Sequence, residues 1–151
     1  MSENWHIKRF EELTTRELYQ ILQLRNEVFV VEQNCVYQDA DGKDDKAFHL
    51  FLEKNGQIIA YVRIFKPGDY FERASIGRVV VHPDYRRQKL GNKLMQKAIN
   101  FVTGTLQKNT IEISAQTYLQ KFYNDLGFKA TGEEYLEDGL PHIRMIFMPN
   151  T

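Results

Sequence analysis

One segment of the chain constrains the fold more than any other. An apolar, β-branched run at residues 75–81 ends at a His-Pro pair, and apolar side chains then recur every fourth position from Leu90 to Val102. The run predicts a central strand buried on both faces, and the repeat predicts an amphipathic helix that opens at Gly91 or just before it. The chain must therefore place a buried strand, a short loop and a helix in direct succession.

The other segments predict further strands and helices of a mixed α/β domain. Thr14 and Glu17 form a capping-box signature, which predicts a helix over residues 15–24 or 15–30. The remaining predicted elements are a helix at 119–126, strands at 5–10, 49–52, 57–65, 111–115, 128–135 and 142–148, and a turn at 137–139 between the last two strands. This order predicts a mixed sheet with helices on both faces, in a single domain of residues 1–151.

Charge and cysteine content exclude several classes of protein. The chain has 20 Lys plus Arg and 20 Asp plus Glu, so its net charge argues against broad capture of nucleic acid or of an anionic membrane. The single cysteine, Cys35, cannot form an internal disulfide, and no apolar run approaches the roughly 18 residues of a membrane span. We therefore expect a cytoplasmic protein without nucleic-acid or membrane partners. The histidines have no metal-ligand spacing with Cys35, so no metal is expected.

The loop between the central strand and its helix carries the features of an anion site. The first turn of a helix has unpaired N–H groups and a partial positive charge, which favour phosphate. Arg86, Arg87 and Lys89 add positive charge at the same place, and Gly91 allows close approach of the backbone. The alternative is a solvated basic turn, which these residue types also fit.

Two motifs in this region resemble the GNAT superfamily of acetyltransferases. Residues 83–91 resemble the acetyl-CoA signature Arg/Gln-x-x-Gly-x-Gly/Ala, with Arg86 at its first position, Gly91 at its last and Lys89 in place of the middle glycine. Residues 116–128 resemble the segment Asn-x-x-Ala-x-x-Leu-Tyr-x-x-x-Gly-Phe, with Gln116 in the Asn position. Within the superfamily, residues 24–35, 76–81 and 135–142 resemble an ElaA-like group.

The resemblance implies a GNAT-type fold with a mostly antiparallel sheet and direct transfer of acetyl from acetyl-CoA to a primary amine in a ternary complex. Backbone groups of Val79 and Val81 would pair with the pantetheine of the donor, and an N–H near Val79 or Val80 would stabilise the oxyanion. The residues implied in cofactor binding are Val79, Val80, Val81, Arg86, Arg87, Gln88, Lys89, Gly91, Asn92, Gln116 and Tyr123.

The same resemblance implies an acid and leaves the base open. Tyr123 has the position of the family's general acid, although helical spacing alone would favour a packing role for this tyrosine. Residues 75–78 carry no carboxylate to deprotonate the amine, so the candidate bases are Glu32, His49 and His142. Glu32 and His142 rank first, because both lie in segments typical of the ElaA-like group.

Other interpretations of the sequence stay open. The missing strand carboxylate favours a non-catalytic acyl-CoA-binding sensor or partner-binding module, and the loop alone would fit an unrelated nucleotide-phosphate binder. The acidic stretch at residues 39–45 lacks the glycine and glutamate spacing of a calcium loop, so we expect a turn-rich loop that faces a cationic acceptor. The acceptor is a small-molecule or peptide amine of undetermined identity, and a homodimer is the commonest default for an oligomer.

Overall fold

Strand β4, Ala74–Val81, lies at the centre of an eight-stranded sheet. The computed structural model describes residues 3–149, so Met1, Ser2, Asn150 and Thr151 of the predicted domain lie outside the described residues. The other strands are β1 Glu3–Arg9, β2 Phe48–Lys54, β3 Gln57–Phe65, β5 Ile111–Gln116, β6 Phe128–Ala130, β7 Tyr135–Glu137 and β8 Leu140–Phe147.

The strand order is β1-β2-β3-β4-β5-β8-β6, and β7 pairs with β8 as well. Strands β4 and β5 are parallel, while the other described neighbours are antiparallel. A parallel connection needs a crossover, which here contains the helix that follows β4. The mostly antiparallel sheet confirms the predicted fold class.

Helices cover both faces of this sheet. Helix α1, Thr15–Arg25, begins at the predicted Thr14–Glu17 capping box and continues into a π-helical segment, Asn26–Glu32. Helix α2, Leu90–Asn100, follows β4, and the short α3, Gln120–Asp125, follows β5. No helix among residues 3–149 is long and apolar enough to cross a membrane.

The alternation of side chains along β2 divides the core between the two faces. Leu50 and Leu52 belong to the apolar cluster that contains Leu94 of α2, whereas Phe51 belongs to the cluster that contains Ile21 of α1. Successive residues of a strand point to opposite faces, so the buried residues 49–52 of this one strand contribute to both halves of the core. Both helices are thereby fixed against the strands that form the site.

The C-terminal strands differ from the prediction in number. The run at 128–135 was expected to form one strand, but it divides into β6 and β7, and Gly132 between them has a φ of +87°. The turn between β7 and β8 contains two residues rather than three. Asp138 and Gly139 have φ values of +52° and +78°, as a type I′ hairpin turn requires, so Glu137 belongs to the strand.

The acidic loop faces inward, which corrects the expectation that it contacts a cationic acceptor. Asp39 binds the fully buried Arg25 of α1, and Asp41 binds the buried Arg63 of β3 through N–O distances of 2.7 and 2.6 Å. Asp44 contacts both guanidinium groups at 2.8 Å. Buried charges need partners, and each of these arginines obtains carboxylates from this loop.

Candidate active site

A cleft opens at the centre of the sheet because β4 and β5 diverge. Among residues 3–149 they pair at Ala74 with Ile111 and at Ser75 with Glu112, and beyond this point β5 continues alongside β8. The cleft between the diverging strands has a volume of about 560 Å³. Beyond Ser75, the edge of β4 that faces the cleft has no ladder partner on β5 among the described residues. Such an edge can accept an extended ligand as an added strand.

The prediction that residues 75–81 form a strand buried on both faces holds only in part. Ala74, Ser75 and Ile76 are buried, but residues 77–79 are partly exposed because the divergence of β5 opens the cleft beside them. A β-bulge lies opposite, where the register between β3 and β4 shifts, and Arg78 adopts a φ of +55° there. Bulges re-aim the backbone and occur often beside active sites.

Arg78 is held in this unusual conformation by the acidic loop. Its Nε lies 2.8 Å from Asp39 Oδ1, and Nη2 donates to the Asp39 carbonyl at 3.1 Å. A left-handed conformation costs a residue with a side chain about 1–2 kcal/mol. The charge pair offsets part of that cost and connects the loop to the wall of the cleft.

The predicted anion loop leads directly from β4 to α2. Residues Pro83–Tyr85 form a 3-10 turn, and the His82 imidazole accepts a hydrogen bond from the Asp84 amide at 3.1 Å. Lys89, which replaces the family's middle glycine, has φ +58°, the left-handed conformation that glycine favours. Lys89 makes no side-chain cap to α2, so the first-turn amides of this helix remain available to an anion.

Arg86, which was predicted to bind the cofactor, forms an ion pair with Glu32, which was a candidate base. Arg86 Nη1 and Nη2 donate to the two oxygens of Glu32 at 2.6 and 2.7 Å, and Arg86 Nε donates to the Val81 carbonyl at 3.2 Å. The hydrogen bond from Arg86 lowers the pKa of Glu32 below its usual range and raises that of Arg86. A carboxylate with a lowered pKa is a weaker base.

Tyr123 lies on α3 with its ring against Phe122 and Phe128 and lines the cleft. The residue is 7% exposed, and burial raises its pKa well above the usual range. The hydroxyl therefore stays protonated at neutral pH. Gln116, at the end of β5, also lines the cleft and donates to Gln33 at 3.4 Å.

His142 lies across the cleft in a group of polar side chains that sequence reasoning largely missed. Its Nδ1 is 2.8 Å from the Leu140 carbonyl, which can only accept, so Nδ1 donates and Nε2 carries the lone pair of the neutral ring. Nε2 lies 3.8 Å from Glu137 Oε2. Glu137 Oε1 accepts from the Ser114 hydroxyl at 2.9 Å, and that hydroxyl is in turn hydrogen-bonded to Tyr135.

The Asp-Gly turn signal in the sequence predicts which of these side chains face one another across β7 and β8. Asp-Gly is a strong two-residue turn signal, and it places the residue before it opposite the residue after it. Applied to Asp138 and Gly139, the rule pairs Glu137 with Leu140 and brings Tyr135 opposite His142, as the structure has them. The three-residue turn inferred from the sequence concealed this register.

The predicted site residues fall into two groups. Those that line the cleft are Glu32, Val79, Val80, Val81, Arg86, Gln116, Tyr123 and His142. Those on the loop and in the first turn of α2, beside the cleft, are Arg87, Gln88, Lys89, Gly91 and Asn92. Among residues 3–149 there is no group of three or more His, Cys, Asp and Glu side chains that could hold a metal ion.

His49, the third candidate base, lies outside the cleft. It is fully buried, its Nε2 donates to the Asp44 carbonyl at 2.9 Å, and its Nδ1 accepts from the Tyr61 hydroxyl at 2.6 Å. Burial also lowers its pKa. Both ring nitrogens are engaged in the interior, so His49 stabilises the acidic loop and does not reach a substrate.

Comparisons with known proteins agree with this architecture. The acetyltransferase (GNAT) domain family matches residues 13–148. The ElaA protein of Escherichia coli is 43% identical over 143 residues, which cover 93% of this chain and 94% of that protein. An acyl-CoA N-acyltransferase from Pseudomonas aeruginosa superposes with a TM-score of 0.89 at 42% identity, covering 95% of this chain and 99% of that one. The crystal structure of E. coli ElaA superposes with a TM-score of 0.89 over 97% and 99% of the two chains.

Proposed function

Because the chain belongs to the GNAT acetyltransferase family, we propose that it transfers an acetyl group from acetyl-CoA to a primary amine by direct attack in a ternary complex. Family membership indicates acyl transfer from an acyl-CoA. We infer in addition that the acyl group is acetyl, that the acceptor is a primary amine and that both substrates bind before transfer. The observation that carries it is the cleft between β4 and β5, in which a free strand edge, a cationic loop and a buried tyrosine converge.

The chain's own groups fit the donor along this cleft. Backbone groups of Val79 and Val81 hold the extended pantetheine arm, as an added strand would be held. The amides of the first turn of α2, with Arg86, Arg87 and Lys89 beside them, hold the pyrophosphate. Gln88 of the loop and Gly91 and Asn92 of the first turn of α2 complete this site, and Gln116 contacts the pantetheine from β5.

Two groups act on the thioester. An N–H at Val79 or Val80, beside the bulge at Arg78, donates to the oxyanion that forms when the amine attacks the carbonyl. Tyr123 gives its proton to the leaving thiolate, and its raised pKa keeps that proton available until the C–S bond breaks.

His142 removes a proton from the amine. An alkylammonium has a pKa of about 10, so the nucleophile must be deprotonated in the site. The hydrogen bond from Nδ1 to Leu140 leaves the Nε2 lone pair directed away from that carbonyl, in a residue that lines the cleft. Glu32 is the alternative base, but its pair with Arg86 lowers its pKa and makes it the weaker base.

The proposal is tested by measuring CoA release from acetyl-CoA with a panel of small amines and peptides, and by identifying the acetylated product by mass. Initial rates with both substrates varied should give intersecting double-reciprocal lines, as a ternary complex requires, and His142→Asn should lose most of the rate. Parallel lines would indicate a covalent acetyl-enzyme instead. Saturable acetyl-CoA binding without transfer to any amine would favour the non-catalytic sensor, for which the absence of a carboxylate at residues 75–78 is the supporting observation.

A further inference from the structure

The described side chains that line the cleft carry an excess of negative charge. Two arginines line the cleft among the described residues, and both are ion-paired: Arg78 with Asp39, and Arg86 with Glu32. Glu137 and Asp138 line the same cleft, and no arginine or lysine forms an ion pair with either in the part of the chain described. The charge of the described lining residues that no arginine or lysine compensates is therefore negative, and it belongs to Glu137 and Asp138.

Hydrogen bonds hold the carboxylate of Glu137 in one orientation in this region. The Ser114 hydroxyl donates to Glu137 Oε1 at 2.9 Å, and because that proton is used, the Tyr135 hydroxyl must donate to Ser114. Both hydroxyl protons therefore point along one chain toward the carboxylate, which fixes its orientation. The second oxygen, Oε2, is turned toward His142.

The distance between Glu137 and His142 allows one nitrogen to contact both side chains. Glu137 Oε2 and His142 Nε2 are 3.8 Å apart, too far for a direct hydrogen bond. A nitrogen about 2.8 Å from each atom fits, because twice that distance exceeds the gap. An ammonium bound there donates one proton to the carboxylate and another to the imidazole lone pair, and the second proton is the one that must leave before attack.

We propose that Glu137 binds the ammonium of the acceptor beside His142, and that the acceptor is a primary alkylamine without a carboxylate near its amine. This inference rests on the proposed function. A carboxylate on the acceptor would meet Glu137 and Asp138 with no free arginine among the described lining residues to receive it. The site thus selects cationic or uncharged amines and rejects free amino acids.

His142 and Tyr123 account for the protons that are transferred during acetyl transfer. The acceptor nitrogen arrives with three hydrogens: one passes to His142 before attack, and a second is lost as the amide forms. The C–N bond forms and the C–S bond breaks, and the thiolate takes the proton of Tyr123, which the second nitrogen-derived proton replaces. The Glu137 carboxylate pairs with the imidazolium of His142, which gives its proton to solvent after the acetylated product leaves.

The test compares three acceptors of equal chain length: 1,4-diaminobutane, 1-aminobutane and 4-aminobutanoate. With the wild-type protein we expect kcat/KM for the diamine to exceed that for 4-aminobutanoate by about tenfold or more. Glu137→Gln should lower kcat/KM for the diamine and for 1-aminobutane by about tenfold, narrow the ratio between diamine and 4-aminobutanoate, and leave the KM for acetyl-CoA unchanged. Glu134→Gln, which removes an exposed carboxylate from the preceding loop, is the matched control and should change none of these values.

A second variant keeps the test valid if Glu137→Gln is poorly folded. Ser114→Ala removes the hydroxyl that orients Glu137 and should lower kcat/KM for the diamine by about threefold. Equal use of the diamine and 4-aminobutanoate, or an effect of Glu137→Gln no larger than that of Glu134→Gln, would overturn the inference while acetyl transfer stands. Transfer to none of the three amines by a protein that binds acetyl-CoA would also overturn it. Loss of acetyl-CoA binding itself would instead contradict the proposed function.

Discussion

The carboxylate of Glu32 and the guanidinium of Arg86 form a bidentate pair with N–O distances of 2.6 and 2.7 Å. This pair joins the π-helical segment Asn26–Glu32 to the loop that precedes α2. It therefore couples one wall of the cleft to the proposed pyrophosphate site, and it places a negative charge beside the phosphates that Arg86 is proposed to bind.

Glu32→Gln should tighten acetyl-CoA binding. An exposed charge pair contributes up to about 1 kcal/mol, so removing the carboxylate should lower the KM for acetyl-CoA by about two- to fivefold. Because the Glu32 pKa is already lowered by Arg86, the pH dependence of kcat should not move. Steady-state kinetics across pH checks both statements, with Glu11→Gln, at an exposed carboxylate paired with Arg9, as the control. A shifted pH profile would make Glu32 the base.

Tyr123→Phe should lower kcat by about a hundredfold or more, because general acid catalysis of this kind contributes that much. The KM for either substrate should change little, and thermal stability should be kept, since the phenyl ring preserves the contacts with Phe122 and Phe128. Tyr118→Phe, at an exposed tyrosine that also lines the cleft, should leave kcat in place. An unchanged kcat in Tyr123→Phe would remove this residue from the mechanism.

Lys89→Gly should stabilise the protein. Lys89 has φ +58°, which costs a residue with a side chain about 1–2 kcal/mol and glycine far less. We expect a gain of about 1 kcal/mol, or about 2–4 °C in Tm for a chain of this size. Lys89→Ala is the control, because it removes the charge and keeps the strain. Equal Tm values for the two variants would show that the backbone at residue 89 is not strained.

Lowering the pH should destabilise the protein by protonating Asp41 of the acidic loop. Burial alone would raise the pKa of Asp41. Hydrogen bonds from Arg63 outweigh this effect and lower that pKa from 3.8 to about 2. A lowered pKa contributes stability that is present above the unfolded value and is lost as pH falls through the folded one, here between about pH 4 and pH 2. Urea unfolding across this window should show a smaller loss for Asp41→Asn than for wild type. Asp84→Asn, at an exposed carboxylate, should lose as much stability as wild type. If the free energy of unfolding fell equally with pH in wild type, Asp41→Asn and Asp84→Asn, Asp41 would not be the group responsible.

Local sequence patterns predict much of the fold. The Thr14–Glu17 capping box fixes the start of α1, and the β-branched run at 75–81 fixes the central strand. Tyr123 was found through a motif, because its helical spacing alone predicts only packing. These features depend on neighbours within one turn or one strand, so the sequence displays them directly.

The site depends on contacts that no local pattern contains. Glu32 and Arg86 are 54 residues apart, and their pairing follows from the packing of α1 against the sheet. The inward turn of the acidic loop similarly depends on Arg25 and Arg63, which lie on different elements. Glu137 was missed for another reason, since one residue of error in the hairpin turn removes it from the strand.

The most direct test of the account is a calorimetric titration of acetyl-CoA into the wild-type protein and Arg86→Ala, with dephospho-CoA as a second ligand and Arg16→Ala as an exposed-cation control. We expect saturable binding with one site per chain. Arg86→Ala should weaken it by about ten- to a hundredfold, since a hydrogen bond to a charged group contributes about 1.5–3 kcal/mol, while Arg16→Ala should match wild type. Absence of saturable binding at millimolar acetyl-CoA, or equal affinity in Arg86→Ala, would contradict the placement of the donor between β4, β5 and the loop before α2.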